Sequence, residues 1–123
     1  MVLYDEIGAE GIEVFLMESD EKISFIEENI NRLETEGGDD DLLQELFRAA
    51  HTLKGSSAML GHEKMAEVTL ELEILIKKLR NRELKFDKSI SMVILDYLEI
   101  VKALKEEVAS RGGNGIGIKP VLA

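Results

Sequence analysis

Four residues stand out for the chemistry their types and spacing allow: His51, Lys54, Gly55 and Glu73. On a helix, Lys54 at i+3 and Gly55 at i+4 lie beside the His51 imidazole. Gly55 falls mid-helix, where glycine costs about 0.5–1 kcal/mol relative to alanine. Two reasons could justify it. With no side chain there, another protein's active site could close over the ring, and Ser56, Ser57 and Ala58 keep the surroundings small. Alternatively, a neighbouring helix packs closely on Gly55.

Glu73 enters through the turn at Gly61-His62. His51 lies eleven residues before His62 and Glu73 eleven after it, so the two come level if the flanking helices run antiparallel. A carboxylate accepting a hydrogen bond from Nδ1–H would fix the tautomer and leave Nε2 as a nucleophile. Lys54 would then offset the charge of a phosphoryl group. The plainer alternative is a pair of unrelated surface charges. His51 follows the core residue Ala50 and should be half exposed at the edge of the buried stripe, as should Glu73 beside Leu72.

These positions depend on the helices that carry them. The 123 residues suit one domain, and one proline with 5% aromatics suggests helices rather than a sheet. Ile12, Phe15, Leu16, Ile23, Ile26, Ile30 and Leu33 mark one apolar stripe over 11–36. Gly37-Gly38 should stop that helix, and Asp39-Asp40-Asp41 should cap the next and oppose its dipole. The second helix is predicted over 41–60, with Leu42, Leu43, Leu46, Phe47, Ala50 and Leu53 inward, closed by Gly61. The third covers 63–82 through Met65, Val68, Leu72, Leu75, Ile76 and Leu79. A polar loop capped by Asp87 precedes a fourth helix over 88–110, with Ile90, Val93, Ile94, Tyr97, Leu98, Val101, Leu104 and Val108 inward.

The expected fold is therefore all-α, an antiparallel up-down four-helix bundle, with a short extra helix possible in residues 1–10. Residues 1–110 form the bundle. Residues 111–123, with four of the ten glycines and the only proline, read as a flexible tail or the start of an interdomain linker. The chain then reads as a piece of a longer multidomain protein.

Composition excludes several functions. Without cysteine there are no disulfides or thiolate metal sites. No apolar run reaches the roughly 18 residues of a membrane span and no signal-peptide pattern is present, so a cytoplasmic protein is expected. A net charge of −10 disfavours nucleic acid and anionic lipid and points to protein partners. Carboxylate-bridged metal sites in bundles need Glu-x-x-His pairs. Arg48 and Met59 stand three residues before the two histidines, so no metal is expected. No P-loop or dinucleotide fingerprint appears. Carboxylates abound, but none falls in a buried position by pattern, which leaves acid–base hydrolysis unsupported. The five methionines read as core filler, and His62 as a solvated or capping residue at the turn.

The run His51-Thr52-Leu53-Lys54-Gly55, with Gly61 six residues beyond, resembles the signature of histidine phosphotransfer (HPt) domains. The longer run Phe47-Arg48-Ala49-Ala50-His51-Thr52-Leu53-Lys54-Gly55 resembles the amino-terminal phosphotransfer domains of CheA-type chemotaxis histidine kinases. Met65-Ala66-Glu67-Val68-Thr69 and Glu73 continue the likeness. The resemblance implies that His51 accepts a phosphoryl group at Nε2 from a kinase's ATP-binding domain and passes it to an aspartate of a response-regulator receiver domain. It assigns supporting roles to Lys54 and Glu73 and docking access to Gly55 and Ser56. It implies no cofactor, and no enzyme in the domain alone. One departure is Leu70, where many CheA-type domains carry a second histidine; another is His62, often a bulky apolar residue there. Alternatives are a stand-alone or hybrid-kinase phosphorelay intermediate, or an adaptor that docks response regulators without carrying phosphate.

Overall fold

The computed structural model describes residues 4–36 and 39–112. Among them are four helices and no strand: α1 (Tyr4–Glu36), α2 (Asp40–Leu60), α3 (Glu63–Arg80) and α4 (Lys88–Gly112). Each helix packs on its chain neighbours and α4 closes back on α1. This is the expected four-helix bundle. No helix among the described residues is long and apolar enough to cross a membrane.

Side-chain chemistry sets the helix ends. Asp39 Oδ1 accepts the Leu42 N–H at 2.6 Å, and Asp40 and Asp41 occupy the first turn of α2, where negative charge is favoured. Gly61 closes α2 with φ 85°, a left-handed conformation that glycine adopts without penalty, and donates its N–H to Ala58. Asp87 Oδ1 accepts the Ile90 N–H at 2.9 Å and starts α4. That hydrogen bond, with another from the Ser89 hydroxyl, holds the Asp87 carboxyl below the usual range.

Several boundaries differ from those read in the sequence. α1 starts at Tyr4 rather than near Gly11, and its helical geometry is broken at Gly8 (φ 75°). The short helix expected in residues 1–10 is thus a kinked extension of α1, and residues 1–3 lie outside the description. α3 stops at Arg80, two residues early. Asn81 donates its N–H to Lys77, and Arg82 turns the chain with φ 62°. α4 runs to Gly112, two residues past the predicted end. The Gly37-Gly38 stop and the tail from 113 onward fall outside the described residues.

Ile26, Ile30, Leu46, Leu53, Met65, Leu72, Ile76, Ile94 and Leu98 form the centre of the core. Two sequence expectations fail here. Val93 is 42% exposed, whereas Ser91 is fully buried and donates its hydroxyl to Glu34 on α1. Burying Ser91 turns α4 towards α1. Val93, about 100° around the helix from Ile94, is left at the solvent edge. The methionines are not core filler as a group: Met65 is buried, but Met17, Met59 and Met92 are exposed.

Candidate functional site

α2 and α3 form the most closely packed pair in the bundle, joined by the two-residue turn at Gly61-His62. That hairpin brings His51 and Glu73 level, and Glu73 Oε2 contacts His51 Nδ1 directly. Two unrelated surface charges are thereby excluded. An ionised carboxylate can only accept, so the neutral ring carries its hydrogen on Nδ1 and keeps the Nε2 lone pair. The His51 side chain is 60% exposed, while that of Glu73 is 11% exposed.

The depth of Glu73 corrects an expectation, since the sequence pattern puts no carboxylate in a buried position. The seam shared by α2 and α3 covers it, and its two oxygens have separate partners. Oε2 takes His51, and Oε1 lies 3.4 Å from Lys54 Nζ. A carboxylate this far from water requires such compensation. Lys54 therefore pairs with Glu73 here.

Gly55 lies one turn beyond His51, and a Cβ built on it would meet nothing within 4 Å. Close packing of a neighbouring helix does not explain this glycine. Ser56 is not brought to the site: it faces α1, lining a shallow groove with Gly11, Val14, Phe15 and Met59. Leu70 lies on α3 less than one turn from Glu73 and is exposed. Among the described residues, no group of three or more histidine, cysteine or acidic side chains is disposed to hold a metal.

His62 acts as the cap of α3, its Nδ1 accepting the Met65 N–H at 3.1 Å. Burial holds its pKa below the usual histidine value, opposed by the charge of Glu107. A ring that caps in this way must stay unprotonated at Nδ1, consistent with the direction of the shift.

Sequence reasoning missed two neighbours of the site. The Phe47 ring lies 5.9 Å from the His51 ring, centroid to centroid, at 23° between planes. The Arg80 guanidinium lies 4.1 Å from the Phe47 centroid. The i, i+4 spacing from Phe47 to His51 could have revealed the first. Phe47 already fits the apolar stripe of α2, which hides its second contact. Arg80 is brought in only by the register of the hairpin.

An all-helical bundle that displays one exposed imidazole, backed by a buried carboxylate and flanked by open space, defines a class of phosphate-carrying domain. The chain belongs to the Hpt domain family, whose model matches residues 10–109. Within that family it is similar to chemotaxis proteins CheA. It is 32% identical over 104 residues to that of Borreliella burgdorferi, covering 85% of this chain and 12% of that protein. It is 31% identical over 104 residues to that of Bacillus subtilis, covering 85% of this chain and 15% of that protein. The CheA phosphotransferase domain from Thermotoga maritima superposes with a TM-score of 0.77 at 29% identity, covering 82% of this chain and 96% of that one. The chain thus matches one small part of the curated relatives and nearly all of a solved phosphotransferase domain.

Proposed function

We propose that His51 accepts a phosphoryl group at Nε2 from ATP, bound by a histidine kinase domain, and donates it to an aspartate of a response-regulator receiver domain. In the first step the Nε2 lone pair attacks the γ-phosphorus and the bond to the β-phosphate bridging oxygen breaks, releasing ADP. The ring becomes positively charged, with Nδ1–H still held by Glu73. In the second step a receiver carboxylate oxygen attacks the same phosphorus, the P–N bond breaks, and the neutral imidazole returns. The domain itself hydrolyses nothing and binds no nucleotide. It is substrate and carrier within a CheA-like cytoplasmic chemotaxis kinase.

The observation that carries this reading is the contact between His51 Nδ1 and Glu73 Oε2, which supports nucleophilic chemistry at Nε2 of the exposed ring. Lys54, already at Glu73, limits the net negative charge that an incoming phosphoryl group meets. Open space at Gly55 leaves room for the partner. Incubation with labelled ATP tests the reading. The chain alone should gain no phosphate, and adding a CheA-type kinase domain should yield an acid-labile, base-stable label. A label that persists in His51→Gln, or that survives acid, would overturn it.

A further inference from the structure

A hydrogen bond at Nδ1 fixes one atom of the His51 ring but leaves its tilt about the Nδ1···Oε2 direction free. For a side chain 60% exposed, nothing else on the Glu73 side removes that freedom. The Phe47 ring does. It lies one helical turn before His51, nearly parallel to the imidazole, within the usual range for stacked rings. Phe47 is half-buried against the core, which limits its own motion.

Phe47 is held in turn. The Arg80 guanidinium sits over its ring at 4.1 Å, where a cation is attracted to the negative face of the π-system. Arg80 is anchored by donating to Gln44 Oε1 at 3.3 Å and Asn81 Oδ1 at 3.2 Å. One chain of contacts thus runs from the carboxy-terminal end of α3, through Arg80 and Phe47, to the imidazole. It reaches the ring by its face, whereas Glu73 reaches it by its edge.

We infer that Phe47, steadied by Arg80, is a positioning residue for phosphoryl transfer at His51, setting the tilt that aims Nε2. This rests on the reading of His51 as the phosphoacceptor. A leucine would fill the same space in the core nearly as well but could not stack. The inference therefore separates from a packing role by the chemistry of the replacement, not its size.

Phosphoramidate is the probe, because it is small enough to need no docking surface. The Nε2 lone pair attacks its phosphorus, the P–N bond of the reagent breaks, ammonia leaves, and the ring keeps Nδ1–H. Phe47→Leu should be labelled about two- to tenfold more slowly than wild type, the scale of a lost aromatic pair. Phe47→Tyr should restore the wild-type rate, and Arg80→Gln should slow labelling about two- to fivefold. In the wild-type protein, NOEs should connect the Phe47 ring protons with His51 Hδ2 or Hε1. Phe47→Leu labelled at the wild-type rate overturns the inference, as does Phe47→Tyr labelled as slowly as Phe47→Leu. If Phe47→Leu does not fold, the wild-type NOEs decide, and their absence overturns it. Wild type that takes no label at His51 contradicts the phosphoacceptor reading itself, while the NOEs still report whether the rings stack.

Discussion

The two long seams of the bundle use charge in opposite ways. Between α1 and α4, ion pairs lie along the outer edge: Lys102 with Glu27, Lys105 with Asp20, and Lys88 with Glu34. Glu27 holds the Lys102 ammonium above its usual range, and the Ser91 hydroxyl holds Glu34 below its own. Each pair has at least one member well open to water, so each contributes little. Between α2 and α3 there is one carboxylate, nearly closed off, divided between a lysine and an exposed histidine. A chain with 25 acidic residues can place almost all of them in water at no cost. Burying Glu73 gains little stability, but it fixes the state of the ring beside it. The contrast separates ion pairs along a solvated edge from a covered carboxylate that the proposed function puts to chemical use.

Substitutions on the two seams should therefore differ in kind. The largest effect is expected from Glu73→Ala. Kinase-dependent labelling of His51 should slow about ten- to a hundredfold, by analogy with the loss of a partner that orients a metal-bound histidine. Far-UV circular dichroism should show the helices intact, and an unchanged rate would show that the carboxylate does not set the tautomer. At Gly55 stability and function should part company. Since a Cβ meets nothing there, Gly55→Ala should raise stability by about 0.5–1 kcal/mol in a denaturant titration. Gly55→Arg should cut kinase-dependent labelling about tenfold, a modest overpacking cost at the contact, while leaving labelling by phosphoramidate unaffected. If the arginine variant unfolds, the space beside the ring belongs to the fold and not to a partner.

A smaller effect concerns pH. His62 has its folded pKa lowered, so the unfolded chain binds the proton more readily than the folded one. Stability should fall as pH drops from about 7 through the unfolded value near 6.5, then level off below the folded pKa. His62→Asn keeps a cap acceptor that does not titrate, and its melting temperature should vary less across that interval. An identical pH dependence would assign the loss to other groups. The smallest effect belongs to the other seam: Lys102→Met should change stability by less than about 1 kcal/mol and leave labelling of His51 unaltered.

Much of this was legible in the sequence. The periodicity of Ile26, Ile30, Leu46, Leu72 and Ile94 marks the core, and Asp39, Gly61 and Asp87 mark helix ends because their backbone roles are local. The equal spacing of His51 and Glu73 about the turn gives their meeting. What escaped depends on rotation and depth. Period alone does not show which edge of a stripe turns inward, so Val93 is exposed while Ser91 is buried. Nor does it show how deeply a carboxylate at a seam sits, as with Glu73. Arg80 reaches Phe47 across 33 residues of chain, a contact that only the register of the hairpin creates.

The central claim is that Glu73 commits His51 to accept phosphate at Nε2. The most direct test is nitrogen-15 and phosphorus-31 NMR of the chain phosphorylated by a CheA-type kinase domain and ATP. The account predicts a single phosphoryl group bonded to Nε2 of His51, with the hydrogen on Nδ1. Phosphate on Nδ1, or on any residue other than His51, would contradict it.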